Sequence, residues 1–173
     1  IWGQEEAKYR TPVNIFGIGL GMLAPTLMTY GTDEQKSNHL ERMARGDDIW
    51  CQLFSEPDAG SDLASLRMKA VQEGDEWILN GQKIWTTGAH YSRYGMVVTR
   101  SDPNVAKHAG LTYFMVDMEA PGTEIRPIKQ ISGVSAFSEV FFTDVRIPDS
   151  YRVGEIGNGW RVAITTLMNE RSV

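Results

Sequence analysis

The sequence predicts an α+β chain: a short helical head, an antiparallel β-barrel or sandwich, and the start of a further helical domain. The first observation is a change of period. Apolar residues recur at helical spacing before residue 48, fall into short alternating runs from Ile49 to Phe142, and return to helical spacing after Gly157-Asn158-Gly159. The second is punctuation, with Gly74-Asp75 and Asn80-Gly81 as hairpin signals and Pro103, Pro121 and Pro148 in longer connections. Many short strands spaced in this way suggest antiparallel strands closed into a barrel or sandwich.

Taken in order, Ile1 to Thr11 is polar and reads as the frayed remainder of something longer. Val13 to Met28 is apolar and helix-like, yet it falls short of the roughly 18 residues of a membrane span and is interrupted by Gly17, Gly19, Gly21 and Pro25. Those glycines are not a dinucleotide fingerprint, because the third glycine position falls at Met22 and no strand precedes it. Tyr30-Gly31 closes this helix. Thr32 and Gln35 form the reciprocal cap of the next, which runs to about Arg45 with Gly46 as its stop and Leu40, Met43 and Ala44 as its buried stripe.

Strands are expected at 49–54, 66–71, 77–79, 83–87, 94–99, 111–116, 123–128 and 139–142, with Asp102 to Gly110 as the most mobile-looking loop. Beyond Gly159, Trp160, Ala163, Ile164, Leu167 and Met168 form one helical stripe. The pattern stops at Val173 without a capping residue, so the sequence reads as a fragment.

Composition narrows the classes. A chain of 173 residues, 42% hydrophobic and 23% charged, is that of a soluble globular protein with room for a core. A net charge of −5 with no basic run argues against a nucleic-acid binder. Cys51 is the only cysteine, has no internal partner and lies in an apolar run, which fits a small buried residue in a reducing compartment. His39, His90 and His108 are far apart and not at ligand spacing, so no metal site is expected.

Two stretches carry chemistry. Trp50 to Asp62, WCQLFSEPDAGSD, is an apolar strand that breaks into a loop where Pro57 forces a turn and Gly60 permits unusual backbone angles. Such a loop can present N–H groups and hydroxyls to an anion, although the same residue types also make ordinary turns. Asn80 to Gly88, NGQKIWTTG, reads as a hairpin turn followed by a strand presenting Trp85, Thr86 and Thr87. A core tryptophan and a strand threonine are the plainer alternatives.

The pair SEPDAGSD and NGQKIWTTG, in this order and separation, resembles the middle domain of the flavin-dependent acyl-CoA dehydrogenases. YGTDEQKSNHL at Tyr30 to Leu40, SEVFFTDVRIP at Ser138 to Pro148 and GNGWRVAITTLMNER at Gly157 to Arg171 look like flanking segments of the same family, so the resemblance covers nearly all of the chain. One departure is Asp58, which stands where the family's loop usually has glycine. The resemblance implies three parts: the end of an N-terminal helical domain at 1–48, a middle β domain at 49–153 and the start of a C-terminal helical domain at 154–173.

It also implies a function. FAD would be the cofactor, held by Gln52, Phe54, Ser55, Gly60, Ser61, Trp85, Thr86 and Thr87, with Ser61 also near the pantetheine or phosphates of an acyl-CoA substrate. The reaction would be α,β-dehydrogenation of the thioester, with hydride passing to flavin N5. Implied partners are an electron-transfer flavoprotein or similar acceptor and further copies in a homo-dimer or homo-tetramer, in bacterial cytoplasm or the mitochondrial matrix. At about 100° per residue Arg171 falls on the centre of the last helix's stripe, where a guanidinium needs either a carboxylate from elsewhere or an anionic ligand. The resemblance places it near the CoA portion. Leu167-Met168-Asn169-Glu170-Arg171 matches the setting in which two branches of the family place the base that removes the α proton, which makes Glu170 the catalytic candidate beside a base in a later domain. A flavin monooxygenase of the same architecture and a non-catalytic β-domain that binds a partner are the rival readings.

Overall fold

In the head, the Asn14 side chain accepts the Phe16 N–H and a π-helical turn, Ile18–Leu23, runs into α1, Ala24–Tyr30. These come from a computed structural model that describes residues 4, 5, 8, 9 and 14–170, so Arg171 and most of Ile1 to Thr11 lie outside the described residues. The next helix, α2 (Asp33–Arg45), begins and ends as its sequence requires. Thr32 Oγ1 accepts the Gln35 N–H at 3.1 Å, Gln35 Oε1 accepts the Thr32 N–H at 3.0 Å, and Gly46 closes the helix in the left-handed conformation. Its buried side is Gln35, His39 and Met43, whereas Ala44 is exposed. The stripe is rotated because Gln35 Nε2 is satisfied inside, donating to the carbonyls of Ser150 and Arg152.

The described residues form one seven-stranded sheet from β1 (Trp50–Leu53), β2 (Lys69–Glu73), β3 (Glu76–Thr87), β4 (Tyr94–Arg100), β5 (Leu111–Asp117), β6 (Thr123–Ile128) and β7 (Phe137–Pro148). Spatial order is β1-β4-β2-β3-β7-β6, with β5 also paired to β4. The α+β class and the curled sheet are as the sequence predicts, but the sheet is mixed. Neighbours from β2–β3, β3–β7, β4–β5 and β6–β7 are antiparallel, while β1 and β2 run parallel to β4. Because β5 covers the whole of β4 on one edge, β1 (against Tyr94 to Val97) and β2 (at Arg100) share the other. The chain between them, residues 54–68, loops out and returns in the same direction.

Both faces of β4 and β5 are covered, which is why they read as continuous apolar runs. One core joins Met22, Leu27, Trp50, Met96, Tyr113 and Met115 with the final helix α3, Gly159–Glu170. The other joins Leu53, Leu79, Val97, Phe114 and Val140 inside the curl of the sheet. Cys51 belongs to the second core, fully buried, and burial pushes its thiol up to about 12.

Two local expectations are overturned. Gly74-Asp75 does make the β2–β3 turn, but Asn80-Gly81 does not turn the chain. It sits within β3 at a register shift against β7, so the strands expected at 77–79 and 83–87 are one. Asn80 spends its amide on β7, where it donates to Asp144 Oδ1 and accepts the Asp144 N–H, both at 2.9 Å. Gly81 has φ +147°, and a Cβ there would lie 2.8 Å from Met68 Cα. Close backbone approach, not chain reversal, therefore requires this glycine. The strand expected at 139–142 is likewise longer, because β7 pairs with both β3 and β6.

The stripe expected on α3 is also not the face it buries. Gly159, Val162, Ala163 and Thr166 face inward, while Ile164 and Met168 are exposed. Gly159 permits this orientation, since a Cβ would lie 2.7 Å from the backbone of Leu111 and Thr112. The buried face is thus rotated from the expected stripe rather than opposite to it: Ala163 belongs to both, Trp160 and Leu167 pack half-buried against the core, and only Ile164 and Met168 are left outside.

Candidate functional site

The two stretches singled out in the sequence form one unit, joined by a residue pair that the sequence reading left aside. Inward-facing positions of β3 alternate through Trp77 and Leu79 to Lys83, which is completely buried. Its ammonium donates to the Phe54 carbonyl at 3.0 Å and to Glu56 Oε1 at 2.8 Å. Glu56 is buried as well, and its carboxylate also accepts the backbone N–H groups of Arg67 (2.6 Å) and Met68 (2.9 Å). One carboxylate thus ties the start of the 54–68 loop to its end and to the neighbouring strand. Burial drives the Lys83 pKa down to about 8, and the Glu56 carboxylate opposes that shift. The signal was a lysine in the inward phase of a strand, which demands a buried carboxylate.

Beyond Lys83 the alternation breaks. Strict period two would turn Trp85 inward with Lys83, but Trp85 has φ +60° and the register with β7 slips between Lys83 and Thr86. The bulge turns the indole outward, 56% exposed, with its ring edge-to-face with Phe137 at 6.1 Å. A left-handed non-glycine residue is strained by about 1–3 kcal/mol and persists only where its surroundings enforce it. Ile84 N–H, donating to the Ser55 carbonyl at 2.9 Å, locks the bulge onto the loop.

The indole borders a cleft of about 470 Å³ whose lining includes Gln52, Phe54, Ser55, Trp85, Thr87 and Glu170. Ile18 and Met22 of the π-helical turn form its apolar wall and continue, with Thr87 and Glu170, into an adjoining hollow of about 400 Å³. Residues far apart in sequence are gathered here by five elements: the π-helical turn, the end of β1, the bulged end of β3, the start of β7 at Phe137 and the last turn of α3. Glu170 continues the buried face of α3, one turn beyond Thr166, and emerges where that face opens into the cleft.

Other expected site residues lie elsewhere. The bulge that exposes Trp85 turns Thr86 inward, 1% exposed, with its Oγ1 lacking a partner among the described residues. Gly60 and Ser61 are exposed on the outer part of the loop, away from the cleft lining. Gly60 is neither left-handed nor crowded, with nothing within 4 Å of where a Cβ would be. The sharp turn is made one step earlier, where Glu56 and Ala59 exchange both backbone hydrogen bonds around Pro57-Asp58. Arg171 lies outside the described residues. Among the described residues no cluster of His, Cys, Asp and Glu could hold a metal, and no helix is long and apolar enough to cross a membrane.

An indole held out by backbone strain, two hydroxyls at the rim (Ser55 and Thr87) and apolar walls fit a flat heteroaromatic ring with a polar edge, as in a flavin. Fold and site together describe a β domain whose cleft suits a flat ring, with a carboxylate from an adjoining helix at its mouth.

Residues 51–145 match the family model described as the acyl-CoA dehydrogenase middle domain, and the chain belongs to the acyl-CoA dehydrogenase family. It is 54% identical over 148 residues to the acyl-CoA dehydrogenase FadE34 of Mycobacterium tuberculosis, covering 86% of this chain and 21% of that protein. Among solved structures it is similar to the Tcur3481-Tcur3483 steroid ACAD, with a TM-score of 0.87 and 38% identity over 90% of this chain and 40% of that one. A glutaryl-CoA dehydrogenase from Mycobacterium smegmatis in complex with FADH2 gives a TM-score of 0.77 at 31% identity, covering 87% and 38%. The chain thus spans less than half the length of these relatives.

Proposed function

We propose that this chain supplies the flavin-facing and acyl-CoA-facing walls of an enzyme that oxidises the Cα–Cβ bond of an acyl-CoA thioester. The observation that carries this reading is the convergence of the strained Trp85, the Ser55 and Thr87 hydroxyls and the Glu170 carboxylate on one cleft. Bound FAD would accept the β hydrogen as hydride. The chain's own residues do the rest. Trp85 offers its face or edge to the ring, Ser55 and Thr87 hydrogen-bond its polar edge, and Phe54 and Gln52 line the floor. Thr86 contributes only through its backbone, and Gly60 and Ser61 meet the pantetheine or phosphates outside the cleft.

Glu170 removes the α proton, which the thioester carbonyl makes acidic, and Ile18 and Met22 keep water from the acyl group. Arg171, next in sequence, meets the CoA portion. Residues 1–48, 49–153 and 154–173 belong to three successive domains of the whole protein. That protein passes its electrons to an electron-transfer flavoprotein or similar acceptor, assembles as a dimer or tetramer, and works in bacterial cytoplasm or the mitochondrial matrix.

A general base contributes on the order of 10²–10⁴-fold. In the whole enzyme Glu170→Gln should lower α-proton exchange by that factor while FAD affinity stays within about 2-fold. Exchange at the unaltered rate would assign the base to another residue. Trp85→Ala should weaken FAD binding while leaving the melting temperature nearly unchanged, and the opposite pattern would make Trp85 a structural residue.

A further inference from the structure

A groove of about 440 Å³ opens where the start of α2 meets the segment after β7, and it shares no lining residue with the cleft. Among the described residues three carboxylates border it, those of Glu34, Asp149 and Glu155, against one cation, Arg152. That cation is spent: Arg152 is held by Asp149 through two contacts of 2.9 Å and donates to the Gly154 carbonyl at 2.6 Å. Glu155 is 3.8 Å from the same guanidinium and 89% exposed, a contact worth little in water. Glu34 is exposed and in no ion pair among the described residues, Lys36 being turned to Asp33 at 4.0 Å.

His39 points to a ligand independently of these charges. It lines the groove at 8% exposure, and its imidazole has no hydrogen-bond partner among the described residues, with Nδ1 sealed. Trp50 and Tyr94 stand edge-to-face with the ring at 5.3 and 5.2 Å and fix its orientation. Burial lowers its pKa, with Asp48 opposing and Arg42 assisting, so the ring is uncharged at neutral pH and keeps a lone pair to offer. A polar ring kept from water without a partner costs stability, and a bound donor would recover it.

We propose that this groove binds an alkylguanidinium, with its N–H donors shared among the Glu34 and Glu155 carboxylates and the His39 imidazole. The acyl-CoA reading neither requires this site nor predicts it. A guanidinium carries five donors and no acceptor, and its plane stacks on aromatic rings such as those of Tyr30 and Tyr151, which also line the groove. An anion would meet two carboxylates that nothing neutralises. A bare metal ion would need converging ligands, and among the described residues no such cluster exists. Free metabolites and the arginine side chains of partner proteins both carry this group.

Calorimetric titration of the whole protein separates these cases, with butylguanidinium, its uncharged isostere butylurea and a capped tripeptide with a central arginine as probes. The wild type is compared with Glu34→Gln/Glu155→Gln and with His39→Phe. Glu34 and Glu155 are exposed, phenylalanine keeps a ring beside Trp50 and Tyr94, and the melting temperature verifies that each variant folds. Butylguanidinium should bind about 10-fold more tightly than butylurea, and the double variant should lose most of that difference. His39→Phe should weaken butylguanidinium by about 5-fold. Butylurea binding as tightly as butylguanidinium, or an affinity for the cation unaltered in either variant, would overturn the assignment. Tripeptide binding at least as tight as that of butylguanidinium assigns the cation to a partner protein, and weaker or absent tripeptide binding assigns it to a small molecule. Both of these outcomes uphold the site.

Discussion

Lys83 and Glu56 bury a charge of each sign beneath the 54–68 loop, whereas Thr26, Thr166 and Tyr113 bury three neutral hydroxyls between the head and α3. In the second arrangement Thr166 Oγ1 lies 2.9 Å from Thr26 Oγ1 and 3.0 Å from the Tyr113 hydroxyl, and all three residues are fully buried. Both join elements distant in sequence. They differ in what remains when one member is lost: an ion without a counter-ion in the first case, a hydroxyl with another acceptor nearby in the second. The Met22 carbonyl is also within reach of the Thr26 hydroxyl and that of Val162 within reach of Thr166, so each threonine's single proton has a helical acceptor to turn to. The site is therefore built on the brittle arrangement, and the helices are joined by the tolerant one.

The largest effect should come from Lys83→Met, which leaves the Glu56 carboxylate buried with only two amide donors. Breaking a buried pair in this way costs about 3–5 kcal/mol. For a chain of this size that is a fall in melting temperature of roughly 6–20 °C. Adding Glu56→Gln should recover part of the loss, and a double variant less stable than the single would refute the uncompensated-charge account. Thr166→Val should cost less, about 1–2 kcal/mol in urea denaturation. If it matches Lys83→Met, the contrast between the two arrangements is wrong.

Acid sensitivity follows from two further ion pairs. Arg42 holds the Asp48 carboxylate below its usual range through contacts of 2.6 and 2.9 Å, and Arg152, with the Trp77 indole N–H, does the same for Asp149. Both folded-state pKa values are depressed, so their stabilisation is complete above the ordinary carboxylate value of about 4 and is lost as pH falls through the depressed values. Melting temperature should thus drop below about pH 4, and less steeply in Asp48→Asn and Asp149→Asn than in the wild type. The smallest change is expected from Trp85→Gly, where relief of left-handed strain offsets lost ring contacts, leaving stability within about 1 kcal/mol.

Much of this was legible in the sequence, because the residues concerned act locally. The Thr32–Gln35 cap, the left-handed Gly46 and the Gly74-Asp75 turn depend on neighbours a few positions away, and each forms as its residues dictate. The pairing of the SEPDAGSD and NGQKIWTTG stretches was also legible, but only through resemblance. What escaped depends on partners far along the chain. Asn80-Gly81 has the composition of a turn, and only Met68 and Asp144 make it a crowded bulge. The apolar stripe of α3 gave its buried face only to within a rotation of about one residue, because Gly159 and Thr166, which carry no apolar signal, are buried against β5 and α1. Thr86 and Trp85 exchanged faces for the same kind of reason: a bulge of one residue inverts everything after it.

That inversion gives the molecule an optical label at its own cleft. Trp50 and Trp77 are sealed in the two cores and Trp160 is partly covered by His108, so Trp85 is the most accessible described indole. Its emission should lie furthest to the red and be the first to fade as acrylamide is added. A flat ring entering the cleft would shield it from the quencher, so occupancy can be followed by light alone, without turnover and without a coloured substrate.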